Sequence, residues 1–129
     1  MELLKVPQPR MFVMCRLPLS DTRVVAPAKV WHTCLVVAVR EDFDGKVFVT
    51  LAGTTSKVTG RKTRVTVRAA SPEGHNAGAK NDFEICPEWV REVPLSDGFF
   101  GDKLTVKGTM GPRLASLLSQ AVANLAKLS

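Results

Sequence analysis

The chain of 129 residues is 45% hydrophobic and 23% charged, a globular composition that fits one domain and excludes wholesale disorder. No apolar run approaches the ~20 residues of a membrane span, and the N-terminus lacks a signal-peptide pattern, so neither a membrane nor secretion is expected. Eighteen Lys and Arg against twelve Asp and Glu give a net charge of +6, which favours nucleic acid or an acidic protein as the partner.

The first half of the chain predicts three strands after a loose N-terminal segment, residues 1–10, that holds two prolines. A polar loop at residues 20–29 separates the first strand from the second. The second strand is a nearly continuous apolar run, as expected for a strand buried on both faces. Phe43-Asp-Gly45 joins it to the third, because Asp-Gly is a strong hairpin signal. The three strands are Met11–Leu17, His32–Val39 and Lys46–Leu51.

Shorter strands and loops are predicted next. Gly53–Ser56 reads as a small polar loop, and Ser71–Lys80, with one proline and two glycines, predicts a mobile loop. In Arg64–Arg68 strict alternation places Val65 and Val67 on one face of a strand. The remaining strand candidates are Phe83–Cys86, Val90–Val93 and Lys103–Val106, with a turn region at 96–102.

The C-terminus changes its hydrophobic period. Seven apolar residues from Leu114 to Leu128 lie at offsets 0, 3, 4, 7, 8, 11 and 14, which places them on one helical stripe. Pro112, after Gly111, suits the first turn of this helix. The expected fold is mainly β (α+β): about five to seven short antiparallel strands in a small barrel or curled sheet, covered by one C-terminal amphipathic helix, in a single domain over residues 1–129.

Five basic residues with no acid between them occupy positions 57–68. Such a set could follow a phosphate backbone, or it could be a solvated face of the sheet that aids solubility. Both interpretations stay open from the sequence. This basic stripe consists of Lys57, Arg61, Lys62, Arg64 and Arg68.

His32 and the Thr54-Thr55-Ser56 run are further candidates for chemistry. His32 stands where a loop meets the buried strand, and a histidine can transfer protons near neutral pH, although a structural role is also possible. The three hydroxyls after Gly53 could bind a phosphate or form an ordinary turn. His75, in the glycine-containing loop, is expected to be solvated, and Trp31 could stack on a base or pack in the core.

Common enzyme motifs are missing from the sequence. There is no P-loop, dinucleotide fingerprint, G-x-S-x-G or H-E-x-x-H, so neither a cofactor nor a metal site is expected. The three cysteines show no C-x-x-C spacing and indicate neither a disulfide framework nor zinc. A reducing cytoplasm is the expected compartment.

The order of these segments resembles the MazF/PemK family of toxin endoribonucleases, the growth inhibitors of type II toxin–antitoxin pairs. That family opens with a strand and a proline loop, as Met11–Leu19 does. An Arg-Pro dipeptide then leads into an apolar strand, matched here by Lys29–Val37, and a later strand ends in a small residue and Thr-Thr, matched by Leu51–Ser56. Asn81–Val93 and Gly108–Leu114 are similar to its last segments, so the likeness spans nearly the whole chain.

The resemblance implies a small SH3-like β-barrel, a homodimer, cleavage of single-stranded RNA without a metal, and neutralisation by an antitoxin protein. The family's catalytic arginine and threonine fall on His32 and Thr54, with Thr33 in place of the family's proline. A histidine can act as general acid or base, but it lacks the permanent charge and bidentate fork of arginine. Arg61, Lys62 and Arg64 could supply the missing charge. The residues expected to bind RNA are Lys29, Thr55, Ser56, Lys57, Arg61, Lys62, Arg64 and Arg68.

Two functions of different classes remain open. The first is a toxin-like endoribonuclease with His32 and Thr54 as its catalytic pair. The second is a catalytically inactive binding protein on the same scaffold, such as a phage- or plasmid-encoded inhibitor of a host enzyme. Convergence of His32, Thr54 and Arg64 on one concave basic surface would favour the first function.

Overall fold

A computed structural model describes residues 5–18 and 26–128 of the chain. Within these ranges six strands form one antiparallel sheet in the order β4-β5-β3-β2-β1-β6, which curls into a half-barrel, and three helices accompany it. The strands are β1 Met11–Cys15, β2 His32–Glu41, β3 Val47–Thr55, β4 Val65–Val67, β5 Phe83–Pro94 and β6 Val106–Thr109. The helices are α1 Pro72–Ala77, α2 Asp97–Phe100 and α3 Pro112–Ala126. The predicted mainly β fold with a C-terminal helix is confirmed.

The curled sheet buries apolar side chains on both of its faces. Successive residues of a strand point to opposite faces, so Phe12 packs in a core beneath α1 and α3, while Val13 packs in a second core that α2 closes with Phe99 and Phe100. Register shifts in the β1–β6, β2–β3 and β3–β5 pairs mark the bulges of the sheet. Because bulges increase local twist, they account for the curl.

The predicted loop at Gly53–Ser56 is wrong for its first three residues, which continue β3. Gly53 pairs with Cys86 of β5, and Thr55 pairs with Glu84. Hydrogen bonds of the β-ladder here outweigh the turn preference of small polar residues. The two short strands predicted around Pro-Glu-Trp are likewise one strand, β5, in which residues 87–89 bulge out because the β3 pairing steps from Cys86 to Val90.

The segment predicted as a mobile loop, Ser71–Lys80, contains the helix α1. The Ser71 hydroxyl accepts a hydrogen bond from the Gly74 N–H at 3.0 Å, and Pro72 occupies the first turn. Gly78 ends the helix with a φ of +72°, a left-handed conformation that glycine adopts without strain. The Ser-Pro-Glu sequence with a glycine six residues after the proline is a helix signal that the loop interpretation overlooked.

Several other boundaries differ from expectation. The strand predicted at Lys103–Val106 lies further along as β6, where it pairs with β1. The turn region at 96–102 contains α2. In the N-terminal segment predicted to be loose, Pro7 is buried and the Arg10 N–H donates to Val36 O at 2.9 Å. Residues 1–4 of that segment and residues 20–25 of the predicted polar loop lie outside the described residues.

The C-terminal helix confirms the predicted apolar stripe and leaves part of it uncovered. Leu114 and Ala121 are buried against the sheet. Leu117 and Val122 are 45% and 49% exposed. The helix therefore covers one face of the sheet and leaves apolar residues at the edges of its stripe exposed to solvent.

Candidate functional site

His32 and Thr54 meet because the β2–β3 hairpin brings the start of one strand to the end of the other. Leu35 pairs with Ala52; Thr33 is two residues before Leu35, and Thr54 is two residues after Ala52. In an antiparallel pair these positions lie at the same end of the hairpin. His32, the first residue of β2, therefore stands beside the end of β3.

A side-chain hydrogen bond fixes this end of the hairpin. The Thr54 hydroxyl donates to Thr33 O at 2.6 Å, a short bond to the residue that follows His32. A carbonyl has no proton to offer, so Thr54 must be the donor, and its oxygen remains free only as an acceptor. Thr54 thus ties β3 to β2 directly beside the imidazole.

An open cavity of about 320 Å³ lies at this position, and we call it the His–Thr cavity. One wall comes from the ends of β1, β2 and β3. A second wall comes from the segment between α1 and β5 and from β6, which pairs with β1. Its lining residues are Met14, Trp31, His32, Thr33, Thr54, Ser56, Ala77, Gly78, Ala79, Lys80, Asn81, Asp82, Phe83 and Lys107.

No pattern in the sequence identified the charged residues of the second wall. Lys80 and Lys107 both line the cavity, although they lie 27 positions apart on different elements. Asp82 also lines it, but its carboxylate accepts from Ala69 N at 2.8 Å and from Arg68 Nη1 at 3.0 Å. These two donors lower the pKa of Asp82. The negative charge of Asp82 is therefore already paired with Arg68.

Trp31 adds an aromatic surface to the cavity. Trp31 is 37% exposed, and the Arg16 guanidinium lies over its ring at 4.7 Å from the ring centroid. Such a cation–π contact holds the ring in one orientation. A partly exposed indole next to His32 can stack on a nucleobase.

The structure divides the basic stripe into two groups. Arg64, with a side chain only 7% exposed, pairs with Glu84 at 3.3 Å and with Glu88 at 2.6 Å, and it lies over the Trp89 ring at 4.9 Å. Arg68 pairs with Asp82. The other three bases are exposed and stand on the loop between β3 and β4; these loop cations are Lys57, Arg61 and Lys62.

Glu84 holds the loop that carries these cations. Its carboxylate is fully buried and accepts from the N–H groups of Thr59 and Gly60, each at 2.8 Å, and from the Thr59 hydroxyl at 2.9 Å. Burial alone raises the pKa of Glu84, but these hydrogen bonds and that of Arg64 outweigh it and lower the pKa. On the other side, Asn124 of α3 donates to Lys62 O at 2.9 Å.

Of the remaining candidates, only Ser56 is among the described residues that line the cavity. The Thr55 hydroxyl accepts from Lys57 N at 3.2 Å. Lys29 is exposed in the segment before β2, and His75 is exposed on α1. His32 and Thr54 converge on one cavity, as expected. Arg64 does not line this cavity, because it is buried in ion pairs with Glu84 and Glu88.

No group of three or more His, Cys, Asp or Glu that could hold a metal ion occurs within residues 5–18 and 26–128. Among the helices in those ranges, none is long and apolar enough to cross a membrane.

Comparison with solved structures identifies a similar protein, an endoribonuclease in complex with its cognate antitoxin from a mycobacterial species. The match covers 96% of this chain and 98% of that chain, with a TM-score of 0.60 and 14% sequence identity. No protein-family model and no curated protein matches the sequence. At this identity the likeness establishes the fold, and it agrees with the resemblance to the MazF/PemK toxins that the sequence motifs carry.

Proposed function

We propose that this protein is a toxin-like endoribonuclease that cleaves single-stranded RNA at the His–Thr cavity. The supporting observation is that His32 and Thr54, the positions that the resemblance marks as the catalytic pair, line one open cavity. The fold around them is shared with an endoribonuclease over 96% of the chain.

The proposed reaction is an intramolecular phosphoryl transfer. The 2′-oxygen of a ribose attacks the adjacent phosphorus, the P–O5′ bond breaks, and the products are a 2′,3′-cyclic phosphate and a 5′-hydroxyl. The neutral His32 imidazole takes the 2′ proton, and the imidazolium returns a proton to the leaving 5′-oxygen. This chemistry needs proton transfer and stabilisation of negative charge, both of which side chains supply, so we propose that it runs without a metal.

Thr54 acts on the phosphate in this proposal. Its proton is held by Thr33 O in the free protein, so contact with a phosphate oxygen requires the hydroxyl to turn from the carbonyl to the substrate. That exchange replaces one hydrogen bond by a charge-assisted one, which is the stronger kind. Ser56 lines the same cavity and offers a second hydroxyl.

RNA binding outside the cavity is assigned to the exposed cations, and base stacking within the cavity is assigned to Trp31. The loop cations lie on the loop that continues from β3, just beyond Ser56, and Lys29 precedes β2. Phosphate contacts by such residues position a strand without reading its sequence. Arg64 and Arg68 contribute through their ion pairs, which hold the loop and the cavity wall in place.

We propose two protein partners, an antitoxin and a second copy of the chain. The similar endoribonuclease is complexed with its cognate antitoxin, and the net charge of +6 suits an acidic partner. The exposed apolar residues Leu117 and Val122 of α3 are assigned to the homodimer. The cytoplasm provides RNA and keeps the three free cysteines reduced.

The experiment is incubation of purified protein with a mixed RNA pool in EDTA, followed by mapping of the new ends. We expect cleavage that leaves 5′-hydroxyl ends, and no cleavage by His32→Ala. An oligonucleotide with one 2′-deoxyribose at the mapped site is the matched substrate control and should stay intact. Loss of cleavage in EDTA or products with 5′-phosphate ends would contradict the mechanism.

One observation favours the alternative of an inactive binding protein. Among the described lining residues of the His–Thr cavity there is no arginine, whereas the family that the sequence resembles uses one. If wild type leaves all RNA intact, the chain is assigned to the second function, a scaffold that inhibits a host protein.

A further inference from the structure

Two close backbone contacts between α1 and β6 place Lys80 and Lys107 at the same cavity. A Cβ atom at Gly78 would lie 2.1 Å from Lys107 O, and a Cβ atom at Gly108 would lie 2.1 Å from Asn76 O. Only glycine permits such an approach at either position. The end of α1 and the start of β6 are therefore locked to each other, and each delivers one lysine to the cavity.

The two ammonium groups are the uncompensated charges of this wall. Across the described ranges, neither Lys80 nor Lys107 has an ion pair with an acidic side chain. The nearby carboxylate of Asp82 is held by Arg68 and Ala69 N. The cavity that His32 and Thr54 line therefore carries a positive potential at its second wall.

We propose that Lys80 and Lys107 form an anion subsite that binds the scissile phosphodiester of the RNA. This inference rests on the proposed function and assigns the permanent charge that His32 cannot provide. A lysine stays protonated throughout the range in which a histidine loses its charge. Two such cations in the cavity that His32 lines can neutralise the extra negative charge that develops as the 2′-oxygen adds to phosphorus.

The subsite is tested first with inorganic phosphate and without any RNA. We expect a phosphate titration followed by NMR to shift the backbone amide resonances of residues 78–81 and 107 and the His32 ring. In the double variant Lys80→Gln, Lys107→Gln these shifts should disappear. The matched control is Lys46→Gln, an exposed lysine in the β2–β3 turn outside the cavity, which should behave as wild type.

The second test measures a single-stranded RNA that carries 2′-deoxyribose at the mapped site, so that it binds without being cleaved. Because both lysines neutralise the same phosphate, their loss should reduce the log–log salt slope of binding by about 0.7, the value for one phosphate on a single strand. With cleavable RNA at saturation, the double variant should be slower by about 100-fold. Because both lysines are exposed, the melting temperature should not change, which separates loss of the subsite from loss of the fold.

The possible outcomes separate this inference from the function on which it rests. Phosphate shifts that are absent in wild type, or that persist in the double variant, overturn the subsite even if wild type cleaves RNA. An unchanged salt slope and cleavage rate in the double variant overturn it as well. Phosphate shifts that depend on both lysines, in a protein that cleaves no RNA, support the subsite and refute the nuclease.

Discussion

Removal of the Glu84 carboxylate should destabilise the fold more than removal of any exposed acid. Glu84 is fully buried, and its substitution by alanine would leave the Arg64 guanidinium, 7% exposed, without one of its two partners. The N–H groups of Thr59 and Gly60 would lose their acceptor as well. The loop with the three loop cations would then be held mainly by Asn124.

The expected cost follows from this geometry. Breaking a buried ion pair by removing one partner costs about 3–5 kcal/mol. Arg64 keeps its 2.6 Å bond to Glu88, and water can replace the acceptor for the exposed Thr59 and Gly60. We therefore expect about 3 kcal/mol, at the low end of that range. For a domain of this size the loss corresponds to a fall of about 10 °C in melting temperature.

The assay is thermal unfolding followed by circular dichroism at pH 7. Glu92→Ala is the matched control, because it removes the acid of a β-strand ion pair, Arg40–Glu92, that is exposed to solvent. Exposed pairs contribute little, so this variant should melt with wild type. A Glu84→Ala melting temperature equal to that of Glu92→Ala would refute the reasoning.

Acid titration gives a second check on the same residue. The folded state lowers the pKa of Glu84, so its stabilisation is fully present above the ordinary glutamate pKa of about 4.3. It is lost as the pH falls through the lower pKa of the folded protein. Glu84→Gln removes the titrating group at nearly constant size. The stability difference between wild type and this variant should shrink below about pH 4.3, and a difference independent of pH would contradict the assignment.

Four further predictions follow from the site and the surface. Wild-type cleavage should change with pH between about 5 and 8, where a histidine changes charge, and His32→Arg should retain cleavage without that inflection; a flat wild-type profile would exclude the imidazole as proton carrier. Replacing the three loop cations by alanine should reduce the salt slope of RNA binding by about 2, and an unchanged slope would make them a solvated face. Light scattering at tens of micromolar should give twice the chain mass of 14.0 kDa for wild type and a monomer for Leu117→Asp, whereas a wild-type monomer would refute the dimer. Burial raises the pKa of Cys86 to about 12, and the hydrogen bond with Cys15 raises that of Cys34, so a thiol reagent at pH 8 should label the protein only after denaturation.

The sequence by itself determined the features that depend on local pattern. The apolar stripe from Leu114 to Leu128 predicts α3, and Asp-Gly predicts the β2–β3 turn; the structure has both. A hairpin places the start of its first strand beside the end of its second strand. The predicted β2–β3 hairpin therefore places His32 near Thr54. Hydrophobic period and turn chemistry are local properties, so the sequence determined these elements, whereas the family resemblance identified His32 and Thr54 as the pair.

The tertiary structure alone decided which charges belong to the cavity. Arg64 and Lys57 both belong to the basic stripe, and the sequence does not distinguish them. In the structure Arg64 is buried in ion pairs with Glu84 and Glu88 of β5, whereas Lys57 is exposed. Neither Lys80 nor Lys107 belongs to a sequence motif that would identify it as a site residue. Both line the cavity because two glycines let α1 pack on β6. Ion pairs and backbone approaches between distant segments depend on how the sheet curls, and no local pattern of residues encodes that curvature.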